Sequence, residues 1–274
     1  MKIHMLSTGT VCVKAAMRYG RGPGPLRQVN TFLSRKYTEP LPIHVWVIEH
    51  PEGVIVVDTG ELAGASALPF ARFEVAPEDE IGPQLRRLGI APGDVRTVVL
   101  THLHGDHMDG VGHFAGRDIL VNEGEYRYLK SLQGRVNVTI GRQVWPAGFV
   151  PKTFAFRPEP LGPFSRSYPL TAAGDLMVVP TPGHTPGHSS IVALRDGVSY
   201  FLAGDASYTQ RQLLKGRVDG VSPSAAVARR TMGMILRYAA EYPMVYLPSH
   251  DPESAARLAA GSLLVDQTLG APAR

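Results

Sequence analysis

Thr101-His102-Leu103-His104-Gly105-Asp106-His107-Met108-Asp109-Gly110 gathers three histidines and two carboxylates directly behind the apolar run Val98-Val99-Leu100. Imidazole nitrogen and carboxylate oxygen are the donors that suit zinc and its transition-metal neighbours. In an extended chain, residues two apart project to the same side. His102 and His104 can therefore grip one ion from a strand end. Asp106 and His107 follow where the chain must turn, so they can face a second ion nearby. The plain alternative is a polar turn rich in histidine. The spacing H-x-H-x-D-H favours a metal or catalytic site.

Other stretches end apolar runs in the same way. Val54–Val57 leads into Asp58-Thr59-Gly60, and Leu176–Val179 into Pro180-Thr181-Pro182-Gly183-His184-Thr185-Pro186-Gly187-His188. Val198–Leu202 leads into Ala203-Gly204-Asp205-Ala206-Ser207-Tyr208, and Met244–Leu247 into Ser249-His250. A catalytic zinc takes three protein ligands and keeps one position open, so a two-ion site needs donors from several such stretches.

Together these motifs resemble the metallo-β-lactamase superfamily and, within it, the N-acyl-homoserine lactone lactonases. The second resemblance rests on a tyrosine three residues after Asp205 and on a Met- and aromatic-bearing stretch near residues 14–40. It implies an α/β (α+β) fold, a four-layer αββα sandwich forming one domain over 1–274, with a two-metal site along one edge of the paired sheets. It also implies the ligands. His102, His104 and His184 would hold the first ion; Asp106, His107 and His250 the second; Asp205 would bridge. Asp58 would lie behind the ligands and orient the histidine-rich loop; its simpler role is a loop cap. His188 follows His184 by four residues and, like His113, falls outside this set. Each ion would be zinc or another divalent metal such as Co, Mn or Fe.

The chemistry follows from charge. Two divalent ions less two aspartates leave a local +2, enough to hold hydroxide near neutral pH. Hydroxide as nucleophile makes a catalytic Ser or Cys unnecessary. Asp106 is the natural proton carrier to a leaving alkoxide. The Tyr208 phenol can donate to a carbonyl oxygen as negative charge develops; the alternative is a tyrosine packed on its own loop.

The whole chain sets outer limits. Its 274 residues suffice for one large domain. A net charge of +4, with no run of Lys or Arg, describes a solvated surface rather than a nucleic-acid face. Cys12 is the only cysteine, which excludes an internal disulfide and a cysteine-based zinc site. No stretch has the apolar length of a membrane span and the N-terminus lacks a signal-peptide core. The expectation is a cytoplasmic enzyme acting on a small lactone, with neither nucleic acid nor membrane as partner.

The elements that position the motifs can be read in outline. Residues 1–13 form a first strand, with Cys12 a small buried hydrophobe. His44–Glu49 and Val54–Asp58 form a hairpin. Ile81, Leu85 and Leu88 mark a short helix closed by Gly89. Arg96–Leu100 delivers the metal motif. Ser190–Leu194 and Val198–Leu202 flank the tight turn Arg195-Asp196-Gly197. Ser222 with Pro223 caps a helix that Pro243 stops, one face of which carries Val227, Met234, Ile235, Tyr238 and Tyr242. Two stretches are harder to place. Residues 14–42 form an irregular lid, a homodimer contact or a loop packed on its own body, and proline-rich 132–175, with Trp145, Phe149, Phe154 and Phe156, forms a pocket wall or a covering loop.

Other reactions on this fold remain open at this stage, since fold does not fix function. The commonest zinc β-lactamases carry cysteine where Asp205 stands. A hydroxyacylglutathione-type thioester hydrolase shares the ligands but adds a basic C-terminal region, and after His250 only Arg257 and Arg274 are basic. A phosphodiesterase processing RNA needs a basic arm. A metal-binding protein without catalysis has no need of an open coordination position and Tyr208.

Overall fold

The computed structural model describes residues 1–22, 26–141, 146 and 149–264. The predicted contribution of Trp145 lies outside these residues. In chain order the strands are β1 (Lys2–Val13), β2 (Leu41–His50), β3 (Gly53–Val57), β4 (Ala71–Glu74), β5 (Val95–Val99), β6 (Asp118–Asn122), β7 (Lys152–Phe154), β8 (Tyr168–Pro169), β9 (Leu176–Pro180), β10 (Ser189–Arg195), β11 (Val198–Gly204) and β12 (Met244–Pro248). The α-helices are α1 (Ala15–Tyr19), α2 (Leu26–Leu33), α3 (Ile81–Arg87), α4 (Gly105–Met108), α5 (Glu123–Lys130), α6 (Leu132–Gly141), α7 (Gln210–Leu214), α8 (Ala225–Glu241) and α9 (Ser254–Ala260).

Two sheets result, ordered β4-β1-β2-β3-β5-β6-β7 and β12-β11-β10-β9-β8. Their packing follows from the period of two along a strand. On β2, Trp46 and Ile48 face the other sheet, meeting Val178, Ile191, Leu202, Val245 and Leu247 in the central core. The alternate residues Val45 and Val47 face outward, where Ile81 and Leu85 of α3 cover them together with Val111 and Phe114. On the second sheet, Val192 and Phe201 face outward against Ala228, Met232, Ile235 and Tyr238 of α8. The outcome is the expected four-layer αββα sandwich in a single domain.

Strands β3, β5, β6 and β7 run parallel to one another, as does β12 to β11, while β3 pairs antiparallel with β2. Parallel neighbours bring the loops after β3, β5 and β6 to one rim. The motifs following β3, β5, β9, β11 and β12 meet at the shared rim of the two sheets.

The structure corrects several expectations. Helix α8 starts later than expected: its N-cap is Ser224, whose hydroxyl accepts from the Val227 amide. Ser222 instead donates its hydroxyl to Asp219. The buried face of α8 is therefore Ala228, Thr231, Met232, Ile235 and Tyr238, while Tyr242 lies exposed at its C-cap. Cys12 is half-buried rather than buried. Residues 14–42 are not irregular throughout, since they hold α1, α2 and the start of β2. Residues 132–175 likewise include α6, β7 and β8.

Candidate metal centre

The structure brings all seven predicted donors together, although they span nearly 150 residues of chain. His102, His104 and His184 form one group and Asp106, His107 and His250 another, with the candidate ligand atoms of each within 4.8 Å of one another. The Nε2 atoms of His102 and His184 lie 3.0 and 2.9 Å from His104 Nδ1. Asp205 stands between the groups. Its Oδ2 is 3.3 Å from His184 Nε2, and its Oδ1 is 3.5 and 3.4 Å from the Nε2 atoms of His107 and His250. His250 Nε2 also lies 3.5 Å from Asp106 Oδ2.

The hydrogen bonds behind the rings fix which nitrogen faces the centre. His107 Nδ1 donates to Asp58 Oδ2 at 2.9 Å, His184 Nδ1 to Asp219 Oδ2 at 3.1 Å, and His250 Nδ1 to the Pro42 carbonyl at 2.8 Å. The Thr101 hydroxyl donates to Asp58 Oδ2 at 2.9 Å, so it accepts from His102 Nδ1 at 3.0 Å. In its neutral form each of these four rings is thus held as the tautomer whose bare Nε2 points inward, the form a metal requires. Asp58 acts on both groups, on His107 directly and on His102 through Thr101. It also accepts from the Thr101 amide at 2.8 Å. It does so from a left-handed backbone, φ 61°, that is uncommon for aspartate. The sequence reading of Asp58 as an orienting residue agrees with this geometry.

His188 stays outside the ligand groups, as expected. Its Nε2 accepts from the Asp205 amide at 3.0 Å and its Nδ1 reaches the Thr181 hydroxyl at 2.9 Å. Gly204 makes room for that ring: a Cβ there would come within 2.8 Å of His188 Nε2 and 2.9 Å of Thr101 Cβ. His113 lies away from the centre, paired with Glu80 at 2.8 Å.

Three supports escaped sequence reading. Asp219 is buried, and besides His184 it accepts from the Val221 and Ser222 amides at 2.9 and 2.7 Å. Buried Glu125 accepts from Leu103 N, the Thr185 hydroxyl and Gly187 N, and so ties the loop of His102 and His104 to that of His184. Asp251 accepts from Gln210 N at 2.8 Å and from Arg257 at 2.6 Å, joining the loop after Tyr208 to the one that carries His250. Each is a single acid with no repeating spacing; only its adjacency to a glycine turn or a recognised ligand offered a signal.

The electrostatics are those of a site built for cations. Burial drives His104 down to about 3 and His102 well below its usual range, helped by the neighbouring imidazoles. Burial opposes charge on His107 as well, but Asp205, Asp58 and Asp106 outweigh it and carry the ring to about 10. Burial alone would raise Asp205; the facing His250, His107 and His184 instead hold it well below the usual carboxylate range. His107 Nε2 and Asp205 Oδ1 are buried without a hydrogen-bond partner among the described residues. Buried polar atoms are normally satisfied. A convergent set of inward nitrogens and carboxylate oxygens with such orphans fits a divalent metal.

The centre forms the floor of a cavity of about 200 Å³. His104, Asp106, His184 and Asp205 reach its base, and Val11, Met17, Phe32, Leu68, Phe70 and Phe73 supply apolar wall. Tyr208 lines it too, stacked on His250 with ring centroids 5.2 Å apart. The stretch 14–42 does reach the cavity, through Met17 of α1 and Gln28, Thr31 and Phe32 of α2. From 132–175, Gln133 contributes.

A two-sheet sandwich carrying these donors at its rim defines a metal-dependent hydrolase. Residues 38–250 match the metallo-beta-lactamase superfamily, and the chain belongs to that family. The N-acyl homoserine lactonase AttM of Agrobacterium fabrum is 27% identical over 272 residues, covering 93% of this chain and 94% of that one. An N-acyl homoserine lactonase of Bacillus sp is 31% identical over 199 residues, covering 66% and 70%. In fold, the chain is similar to an N-acyl homoserine lactone hydrolase solved with N-hexanoyl-L-homoserine at its catalytic metal center (TM-score 0.72, 22% identity, 93% and 95% covered). It is also similar to AidC, a dizinc quorum-quenching lactonase (TM-score 0.63, 17% identity, 91% and 87% covered).

Proposed function

We propose that this enzyme opens the lactone ring of N-acyl-homoserine lactones, using two zinc or similar divalent ions. The observation that carries the reading is the position of Asp205, one oxygen turned to each donor group, at the foot of an apolar cavity. His102, His104 and His184 would hold one ion and Asp106, His107 and His250 the other, with Asp205 shared. Ions there supply water activation at neutral pH and Lewis-acid polarisation of a carbonyl.

The chain's own residues do the rest. Burial, reinforced by Asp205, Asp219 and Asp106, keeps the Tyr208 phenol protonated far above its ordinary range. It is therefore a hydrogen-bond donor at any physiological pH, available to the lactone carbonyl oxygen as charge grows. Asp106 faces the cavity and would carry a proton to the ring oxygen as the C–O bond breaks. The apolar wall takes the acyl tail and excludes water. No Lys or Arg is among the described residues lining the cavity. A neutral lactone needs none, whereas the carboxylates of a glutathione thioester or the backbone of a nucleic acid would lack counter-charges. That favours the lactone over the thioester and phosphodiester readings.

The test is proton release from metal-loaded protein against a panel of acyl-homoserine lactones, a glutathione thioester, a phosphodiester and a β-lactam. Ring opening of medium-chain lactones that chelators abolish supports the proposal. Intact lactones alongside a cleaved thioester or phosphodiester would overturn it.

A further inference from the structure

A second hollow, of about 310 Å³, lies behind the catalytic cavity, where α1 and α2 meet the loop after α7. Tyr19, Gly20, Arg27, Lys215, Gly216, Arg217, Val218 and Arg229 line it: four basic side chains and no carboxylate. Among the described residues none of the four has an ion-pair partner, although ion pairs are common elsewhere on the chain. Arg27 is the telling member. It is only 8% exposed, yet its hydrogen bond is to the backbone carbonyl of Asp219 at 3.1 Å. The Asp219 carboxylate, the nearby acid in sequence, is turned inward to His184 and Ser222. A guanidinium so nearly buried without a counter-charge is costly, and three further cations around it raise the cost. Arg217 is also fixed, its Nε donating to the Tyr19 carbonyl at 3.3 Å and its guanidinium lying 4.6 Å from the Tyr19 ring centre.

We infer that this hollow is an anion site for a phosphate group. Guanidinium forks match tetrahedral oxyanions with paired hydrogen bonds, and a dianion would offset the convergent charge. The guanidiniums of Arg217 and Arg18 already lie 4.6 and 5.0 Å from the centre of the Tyr19 ring. The lining offers four cations and Tyr19, a ring that arginines already contact, so recognition is of the phosphate itself. Occupation also reaches the catalytic cavity. Arg27 sits on α2, whose Gln28, Thr31 and Phe32 line that cavity, and its carbonyl partner belongs to Asp219, which holds His184. A bound phosphate would tie α2 to the 215–219 loop.

The test titrates metal-loaded, full-chain protein with inorganic phosphate, at ionic strength held constant with chloride. Amide hydrogen exchange is read in α2. Saturable slowing of exchange in α2 is expected, with half-saturation weakened roughly tenfold in Arg217→Gln and in Arg229→Gln, the scale of one charge-assisted hydrogen bond. Both residues are exposed and stand outside the metal centre, so the variants keep the fold and the catalytic groups. A parallel arm uses phosphatidylcholine vesicles containing phosphatidic acid. Co-sedimentation lost in the same variants would make a lipid headgroup the source of the phosphate, while a response to inorganic phosphate alone would make it a free anion. No saturable slowing beyond the chloride control, together with no co-sedimentation that depends on Arg217 and Arg229, overturns the site. So does a response that both variants retain, which would place the phosphate at the histidine groups.

Discussion

Asp58 shows what a single side chain can and cannot reveal in a sequence. The family resemblance implied an orienting acid, while its own type and place after an apolar run described a loop cap just as well. Its reach to both donor groups, through His107 and through Thr101, needed coordinates. Asp219 performs the same task for His184 alone and was invisible, because a lone acid beside glycine is ordinary turn chemistry. The two make a matched experiment. Asp58→Asn is expected to weaken metal binding ten- to a hundredfold at both sites, and Asp219→Asn at one, as for other supports behind ligands. Chelator competition reads both, and equal stoichiometric loss in the two variants would contradict the assignment. Tyr208 invites a separate prediction. Tyr208→Phe should retain both metals and lower kcat by about ten- to a thousandfold, the worth of one oxyanion donor. An unchanged kcat would leave the ring a packing partner of His250 and nothing more.

At the scale of elements, strands were more legible than helices. The apolar runs ending at motifs became β3, β5, β9, β11 and β12, because a strand buried on both faces carries little else. The start of α8 was misread because Ser222-Pro223 and Ser224 offer competing caps two residues apart. The need of Asp219 for the Ser222 hydroxyl, a tertiary contact, decided between them. Helix α2 was unreadable for another reason: Leu26, Val29, Phe32 and Leu33 are exposed, so their spacing describes no buried face. Phe32 still has a partner, meeting Phe70 edge to face at 6.0 Å over the cavity. Phe32→Ala should therefore raise KM for long acyl chains more than for short ones, each lost methylene contact being worth about 0.8 kcal/mol. A rise equal at every chain length would instead indicate general loosening of α2.

The whole molecule carries its centre as a load of opposed charges, and freed of metal it should show this against pH. His107 titrates near 10 in the folded chain against 6.5 ordinarily, and His184 and His250 are also raised. The folded state thus holds more protons above 6.5, and the stability these rings lend is lost as pH climbs toward 10. His104 and His188 titrate near 3, His44 near 4, and His102 well below the usual value. These four must stay neutral in the folded state, so their contribution is lost as pH falls below 6.5. Glu61, pushed by burial and Asp109 to about 8, and buried Glu125, also raised, work against this trend, two groups against four. The melting temperature of chelated protein should accordingly peak near pH 6.5, and a monotonic profile would refute this balance. Restoring a divalent metal should lift stability most above that pH, where histidines release their protons to it readily.

The rim is closed by residues that are far apart in the chain. His250 donates to Pro42, and the His44 amide donates to Ser249, so the loop after β12 is fastened to the start of β2 in the first sheet. On the ribosome these partners emerge in a fixed order. His102, His104 and His184 are all outside before β12 is made, whereas His250 follows His184 by about 3–13 s at ordinary rates of synthesis. Over that interval the nascent protein has a complete set of three histidines and an incomplete second group. Metal acquisition in the cell should therefore be sequential, one ion during translation and its neighbour only after the C-terminal strand has docked.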